Sequence, residues 1–100
     1  MSVTFYVYLW ARPGMEQDLV AYEDTVLALV DEHGGRLVHR SRTDGRDGRP
    51  FEIQLFEWPS QAALDGYMAD PRRTSLAADR DRAIERTDIV VVQPVVTPAT

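Results

Sequence analysis

The stretch DEHGGRLVHR, residues 31–40, holds both histidines of the chain, His33 and His39. An imidazole titrates near neutral pH, so each is a candidate for acid–base work or metal binding. The spacing argues against a shared metal. The two histidines fall on different elements, they do not form an i, i+4 pair, and no third ligand stands beside them, so no metal site is expected. The chain has no cysteine, which removes thiolate nucleophiles, disulfides and cysteine metal sites together. It also has no lysine, and all 11 basic residues are arginine, so no Schiff base can form on a lysine. Two of those arginines, Arg73 and Arg80, lie in the apolar arc of a helical segment. There Arg80 either runs along the apolar surface or pairs with a carboxylate, Glu57 or Glu23, or it builds with Arg73 an anion site for a substrate carboxylate. The glycines of GRDGR (45–49) join two strands and open no helix, so they make no phosphate loop.

These residues must be held by elements that the pattern makes legible. VTFYVYLWA (3–11) is rich in aromatic and β-branched residues and stops at RPG, which reads as a strand. Both of its faces are apolar: Val3, Phe5, Val7 and Leu9 point one way, and Tyr6, Tyr8 and Trp10 the other. Met15, Leu19, Tyr22, Val26, Leu29, Val30 and His33 then repeat at helical period, which predicts a helix of about five turns ended by Gly34 and Gly35. His33 on its last turn reads as a cap for an orphan carbonyl, with a ligand role as the alternative.

RLVHRSRT (36–43) and PFEIQLFEW (50–58) alternate as strands around a glycine-punctuated loop and predict a hairpin. With Thr43 opposite Pro50, His39 faces Gln54 and Leu37 faces Phe56; a slip of one residue would invert every assignment. Ser60 is the expected cap of the next helix, and Asp70 with Pro71 restarts one that is predicted to run to about Arg86. TDIVVVQPVV (87–96) is a last strand, which Pro94 assigns to an edge.

Strand, helix, strand, strand, helix pair, strand predicts an α+β, ferredoxin-like βαββαβ arrangement: a four-stranded antiparallel sheet with helices on one face. One domain over residues 1–100, with an ordered core of about 3–95, suits the length. Phe5, Val7, Leu9, Ile53 and Leu55 are expected to meet the helices, leaving Tyr6, Tyr8, Trp10, Phe56 and Trp58 on the other face, a patch too large to leave wet. A second copy of the chain would cover it, sheet against sheet. A small aromatic ligand in the hollow between sheets would also do so, oriented by His39, Glu52, Gln54 and the tyrosine hydroxyls. His39 could then take a proton from a phenol; otherwise it is a strand histidine bonded to a cross-strand neighbour.

Single-stranded RNA fits poorly. The net charge is −5, and Glu52 and Glu57 stand where phosphates would pass. No apolar run approaches the roughly 20 residues of a membrane span, and the amino terminus lacks a basic leader pattern, so no membrane partner and a cytoplasmic location are expected.

YEDTVLALVDEHGGRLVHR, PFEIQLFEWPSQAAL and DPRRTSLAADRDRAIERTD together resemble the small dimeric α+β-barrel proteins related to the antibiotic-biosynthesis monooxygenase superfamily. The resemblance covers about residues 3–95 and rests on HGGR, EWPS and the arginine-rich helix after DP. It implies two protomers that pair their sheets into a barrel. Its relatives include cofactor-free oxygenases, haem enzymes and isomerases, and no matching catalytic set carries over. The expectation is therefore a homodimer that binds or acts on a small aromatic or polyketide-like molecule with no metal or other cofactor. As an enzyme it would be monooxygenase-like or isomerase-like; the alternative is a non-catalytic binding or structural dimer.

Overall fold

The computed structural model of the chain describes residues 2–95. Strand β1 (Val3–Ala11) leads through the RPG turn into helix α1 (Glu16–Leu27). Strands β2 (Arg36–Arg42) and β3 (Glu52–Trp58) form the hairpin, short helices α2 (Gln61–Met68), α3 (Pro71–Thr74) and α4 (Ala77–Ala83) follow, and strand β4 (Ile84–Val92) closes the sheet. The order across the sheet is β2-β3-β1-β4 with antiparallel pairing throughout, the ferredoxin-like arrangement. β1 and β3 are central, as two apolar faces require, and β4 is an edge that Pro94 follows. No helix among the described residues is long and apolar enough to cross a membrane.

Several local features follow the sequence closely. Ser60 Oγ accepts from Ala63 N at 3.1 Å, and Asp70 Oδ1 accepts from Arg72 N at 2.8 Å beside Pro71. Gly34 stops the first helical segment at φ +81°. Other features differ. The expected five-turn helix ends at Leu27 and tightens into i, i+3 bonds, with a 3₁₀ turn over Asp31–His33, a common way to finish a helix. β4 begins at Ile84 rather than 87, because the pairing of β1 shifts register between Trp10 and Ala11 and draws Ile84 into the sheet opposite Ala11.

The largest correction concerns the hairpin. Arg36 and Leu37 pair with Glu57 and Phe56 in the expected register, but the ladder then slips at Val38, and His39 pairs with Leu55 rather than Gln54. An extra residue at a bulge turns every following side chain to the opposite face. His39 and Ser41 therefore lie on the open face, and Arg40 and Arg42 on the helix face.

The pairing of β3 with β1 settles the rest. Phe5 opposes Phe56, Val7 opposes Gln54 and Leu9 opposes Glu52, so Gln54, Phe56 and Trp58 point at the helices together with the odd-numbered residues of β1. Ile53 and Leu55 oppose Tyr8 and Tyr6 on the open face. The core between sheet and helices is built from Phe5, Val7, Leu9, Phe56 and Trp58 below and Leu19, Tyr22, Val26, Val30 and Tyr67 above. Each such buried apolar side chain stabilises the fold by roughly 1.5–3 kcal/mol.

Candidate ligand cavity

The helices do not fill the space above the sheet. α1 packs on α4, and α2 on β3 and the 3₁₀ turn, which leaves a cavity of about 310 Å³ over β1, β3 and the helix face of β4. That is at the small end of the ~300–1,000 Å³ typical of ligand clefts. Around its rim lie Met68, Ile89 and Val91, three large apolar residues that remain 42%, 56% and 70% exposed.

Cross-strand pairing lays the floor out in rows. Trp58 with Val3, then Phe56 with Phe5 and Val91, form an aromatic end; Gln54 with Val7 and Ile89, then Leu9 with Thr87, form the opposite end. Successive rows are about 6–7 Å apart, the advance of two strand residues. The phenyl rings of Phe5 and Phe56 stack at 5.4 Å between centroids, the indole of Trp58 continues the stack at 6.5 Å from Phe56, and Tyr67 lies tilted against it at 5.1 Å. Trp58 is 1% exposed, and its Nε1 is buried without an acceptor. Gly35 explains its position: a Cβ there would lie 2.6 Å from Cζ3, so only glycine lets the benzo edge of the ring seat against β2.

At the other end the wall is polar. Gln54 Nε2 donates to Glu23 Oε1 at 2.7 Å and to Glu52 Oε2 at 2.6 Å, so both amide hydrogens are held by carboxylates. Glu52, 0% exposed, is neutralised by Arg40 Nε at 2.8 Å and Arg42 Nε at 3.0 Å, and Arg40 also reaches Asp24 at 2.7 Å. Glu23 forms no ion pair among the described residues, and burial pushes its carboxyl pKa up, opposed by the bond from Gln54.

The two arginines of the helical segment stand above this floor. The guanidinium of Arg73, on α3, lies 5.2 Å from the ring centroid of Tyr67, and its buried Nε has no acceptor. Arg80, on α4, donates to Thr87 Oγ1 at 2.8 Å instead of pairing with Glu57 or Glu23 as its position suggested. Glu57 is taken by Arg36 on the open face and Glu23 by Gln54. Neither Arg73 nor Arg80 has an ion-pair partner among the described residues. Burial raises the Tyr67 hydroxyl to about 12, against the pull of Arg73, and its proton is donated to Val26 O at 3.2 Å.

His33 stays outside the cavity and builds its roof. Its Nε2 donates at 2.8 Å to Asp70 Oδ2, which also accepts from Arg72 Nη2 at 2.9 Å. The bonds from Arg72 and then His33 hold the Asp70 carboxyl well below the usual range. This clasp joins the end of the α1 segment to the start of α3, and so fixes where Arg73 stands.

The structure thus divides the residues singled out from sequence. Gln54, Phe56, Trp58, Arg73 and Arg80 converge on the cavity. Tyr6, Tyr8, Trp10 and His39 lie across the sheet on the open face, where Tyr6 and Tyr8 stack at 6.2 Å and Arg86 covers the Trp10 ring at 4.5 Å. His39 is exposed there beside Leu55, away from Gln54. Glu23 and Thr87 join the cavity without having been assigned to it from sequence. The signal for Glu23 was its spacing: it follows Leu19 by four residues and precedes Val26 by three, so it shares the buried stripe.

No family model and no curated protein matches the chain. Solved structures do. A protein of unknown function from Rhodopseudomonas palustris is 17% identical with a TM-score of 0.79, over 96% of this chain and 84% of that one. A candidate antibiotic biosynthesis monooxygenase from Bacteroides thetaiotaomicron is 11% identical with a TM-score of 0.78, over 99% and 94% of the two chains. A dimeric protein of unknown function from Bacteroides fragilis, with a ferredoxin-like fold, is 14% identical with a TM-score of 0.68, over 92% and 95%. At these identities the likeness shows the fold: this chain is a ferredoxin-like α+β protein.

Proposed function

We propose that this protein is a homodimer whose protomers each bind a small aromatic or polyketide-like molecule carrying an acidic group, in the cavity between sheet and helices. One observation carries the reading. Arg73 stands against Tyr67 beside the aromatic end of the trough and Arg80 on Thr87 at the opposite end, and among the described residues neither has a carboxylate partner, while a buried indole N–H and a buried guanidinium Nε lack acceptors. Orphaned buried donors cost about 1–3 kcal/mol each, a cost a carboxylate or carbonyl oxygen would offset. The lining sets Arg73 and Arg80 against Glu23 and Asp65, so an anionic ligand is favoured locally by the two guanidiniums and not by a net charge of the wall.

Dimerisation uses the other face. Tyr6, Tyr8, Trp10, Ile53, Leu55 and Val90 make an apolar surface whose second occupant would be a copy of itself, and a neighbour of the same fold is dimeric. This differs from a ligand held in a hollow between sheets, because the residues that would grip it, Gln54, Phe56 and Trp58, belong to the helix side.

Calorimetric titration with naphthoate tests the reading. Saturable binding is expected, with Arg73→Leu weakening it about 10- to 100-fold, the loss of one charge-assisted hydrogen bond. Equal affinity for naphthoate and for the neutral alcohol of the same ring would refute the anion site.

A further inference from the structure

We propose that Glu23 is the proton acceptor of this cavity and that the molecules it takes carry an ionisable hydroxyl, a phenol or an enol, at the end held by Gln54. The inference rests on the cavity being the ligand site. In the step, the ligand O–H bond breaks, its proton passes to a carboxylate oxygen of Glu23, and the electron pair stays on the ligand oxygen.

The geometry distinguishes Glu23 from the other acids nearby; Asp65, which also lines the cavity, is exposed and accepts from Gln61 Nε2 at 2.9 Å. Glu23 is 6% exposed, it lines the cavity, and one of its oxygens is held by Gln54 while the other makes no hydrogen bond among the described residues. Glu52, its neighbour through the same amide, is saturated by Arg40 and Arg42 and cannot take a proton without losing both. Gln54 spends both amide hydrogens on the two carboxylates, which fixes its orientation and leaves its carbonyl Oε1 as a second acceptor with no hydrogen bond among the described residues. Acceptors therefore cluster at the Glu23 end and unpartnered donors at Trp58 and Arg73, a division that suits a molecule offering a hydroxyl at one place and an anionic or carbonyl oxygen at another.

The groups that act on Glu23 come from each element around it: Glu52 on β3, Arg40 on β2, Tyr22 on α1 itself, Tyr67 on α2 and Arg73 on α3. Burial and Glu52 favour the protonated carboxyl, while Gln54, Arg40 and Arg73 favour the charged one. Burial outweighs the opposing contacts, and a carboxylate whose proton affinity is raised in this way is a stronger acceptor than a solvated one.

The test uses para-nitrophenol, whose phenolate absorbs in the visible where the phenol does not, about one pH unit below the pKa of the free phenol. The wild-type protein is expected to show the phenolate band on binding, with no proton released to the buffer by calorimetry in buffers of different ionisation enthalpy. In Glu23→Gln the bound probe is expected to remain neutral, or to release its proton to the buffer. Identical spectra and proton counts in the two proteins would overturn the role of Glu23 while leaving the cavity reading intact. Absence of saturable binding by both para-nitrophenol and naphthoate would overturn both. Should Glu23→Gln not fold, the infrared difference spectrum of the wild-type complex decides: a new protonated-carboxyl C=O band is expected, and its absence refutes the transfer.

Discussion

Replacing Gly35 by alanine adds one methyl group against the ring that forms the aromatic end of the cavity. The new Cβ would lie 2.6 Å from Trp58 Cζ3 and 2.7 Å from Cε3 and Cη2, where ordinary contact begins at 3.4 Å. The ring must therefore retreat by about 1 Å. Phe56 is already stacked on it and Tyr67 lies tilted against it, so the space that can receive it is the cavity. Overpacking of this kind costs about 1–3 kcal/mol. With a urea m-value of about 1–3 kcal/mol/M, the unfolding midpoint should fall by about 1 M at unchanged slope. The same displacement narrows the trough, so naphthoate binding should weaken in the folded variant while a smaller benzoate is affected less. Gly34→Ala serves as the contrast: its Cβ meets only Pro59 Cγ at 3.6 Å, and it loses stability through its φ of +81° with the cavity untouched. A Gly35→Ala protein with wild-type midpoint and wild-type affinity would refute the packing argument.

Leu55→Arg places a guanidinium in the centre of the open face between Tyr6 and His39; sedimentation should show a dissociation constant raised at least about 100-fold, the cost of burying an unpaired charge between two sheets. Glu52→Ala leaves Arg40 and an amide hydrogen of Gln54 without their buried acceptor, and should lower unfolding stability by about 3 kcal/mol in urea titration. Asp70→Asn should flatten the acid limb of the stability curve. The native Asp70 carboxyl is held below its unfolded value, so its contribution is full above about pH 4 and is lost as the pH falls towards the folded pKa. The difference between wild type and Asp70→Asn should therefore shrink below that pH and stay constant above it.

The order of elements, the centrality of β1 and β3, the caps at Ser60 and Asp70 and the edge position of β4 were all legible, because each is set by local chemistry or by a period that one strand or helix displays alone. The contents of the two faces were not. PFEIQLFEW is apolar or aromatic at both parities, so hydrophobicity could not say whether Phe56 or Leu55 faces inward. What decides is the polar set that shares the parity of Phe56: Glu52 and Gln54 can be buried only beside cations and carboxylates from other elements, and that constellation is tertiary. The five-turn helix failed for a similar reason. Its stripe continues to His33, but the His33–Asp70 clasp and the left-handed Gly34 close the segment in a tighter 3₁₀ form that side-chain period does not encode.

The bulge at Val38 connects these facts. Had β2 kept the register of Arg36 and Leu37, Arg40 and Arg42 would have pointed at the open face and His39 at the helices. Glu52 would then be buried without a cation, a state costing several kcal/mol, and two guanidiniums would interrupt the apolar open face. One extra residue resolves both. It sends Arg40 and Arg42 inward to neutralise Glu52, frees Glu23 from competing for them, and leaves the open face to His39, Ser41, Ile53 and Leu55. The sheet then keeps an apolar open face on one side and the cavity on the other, which separates the proposed association from the proposed ligand site. That separation is why Leu55→Arg should dissociate the dimer, and Arg73→Leu weaken ligand binding, with little effect of either on the other property.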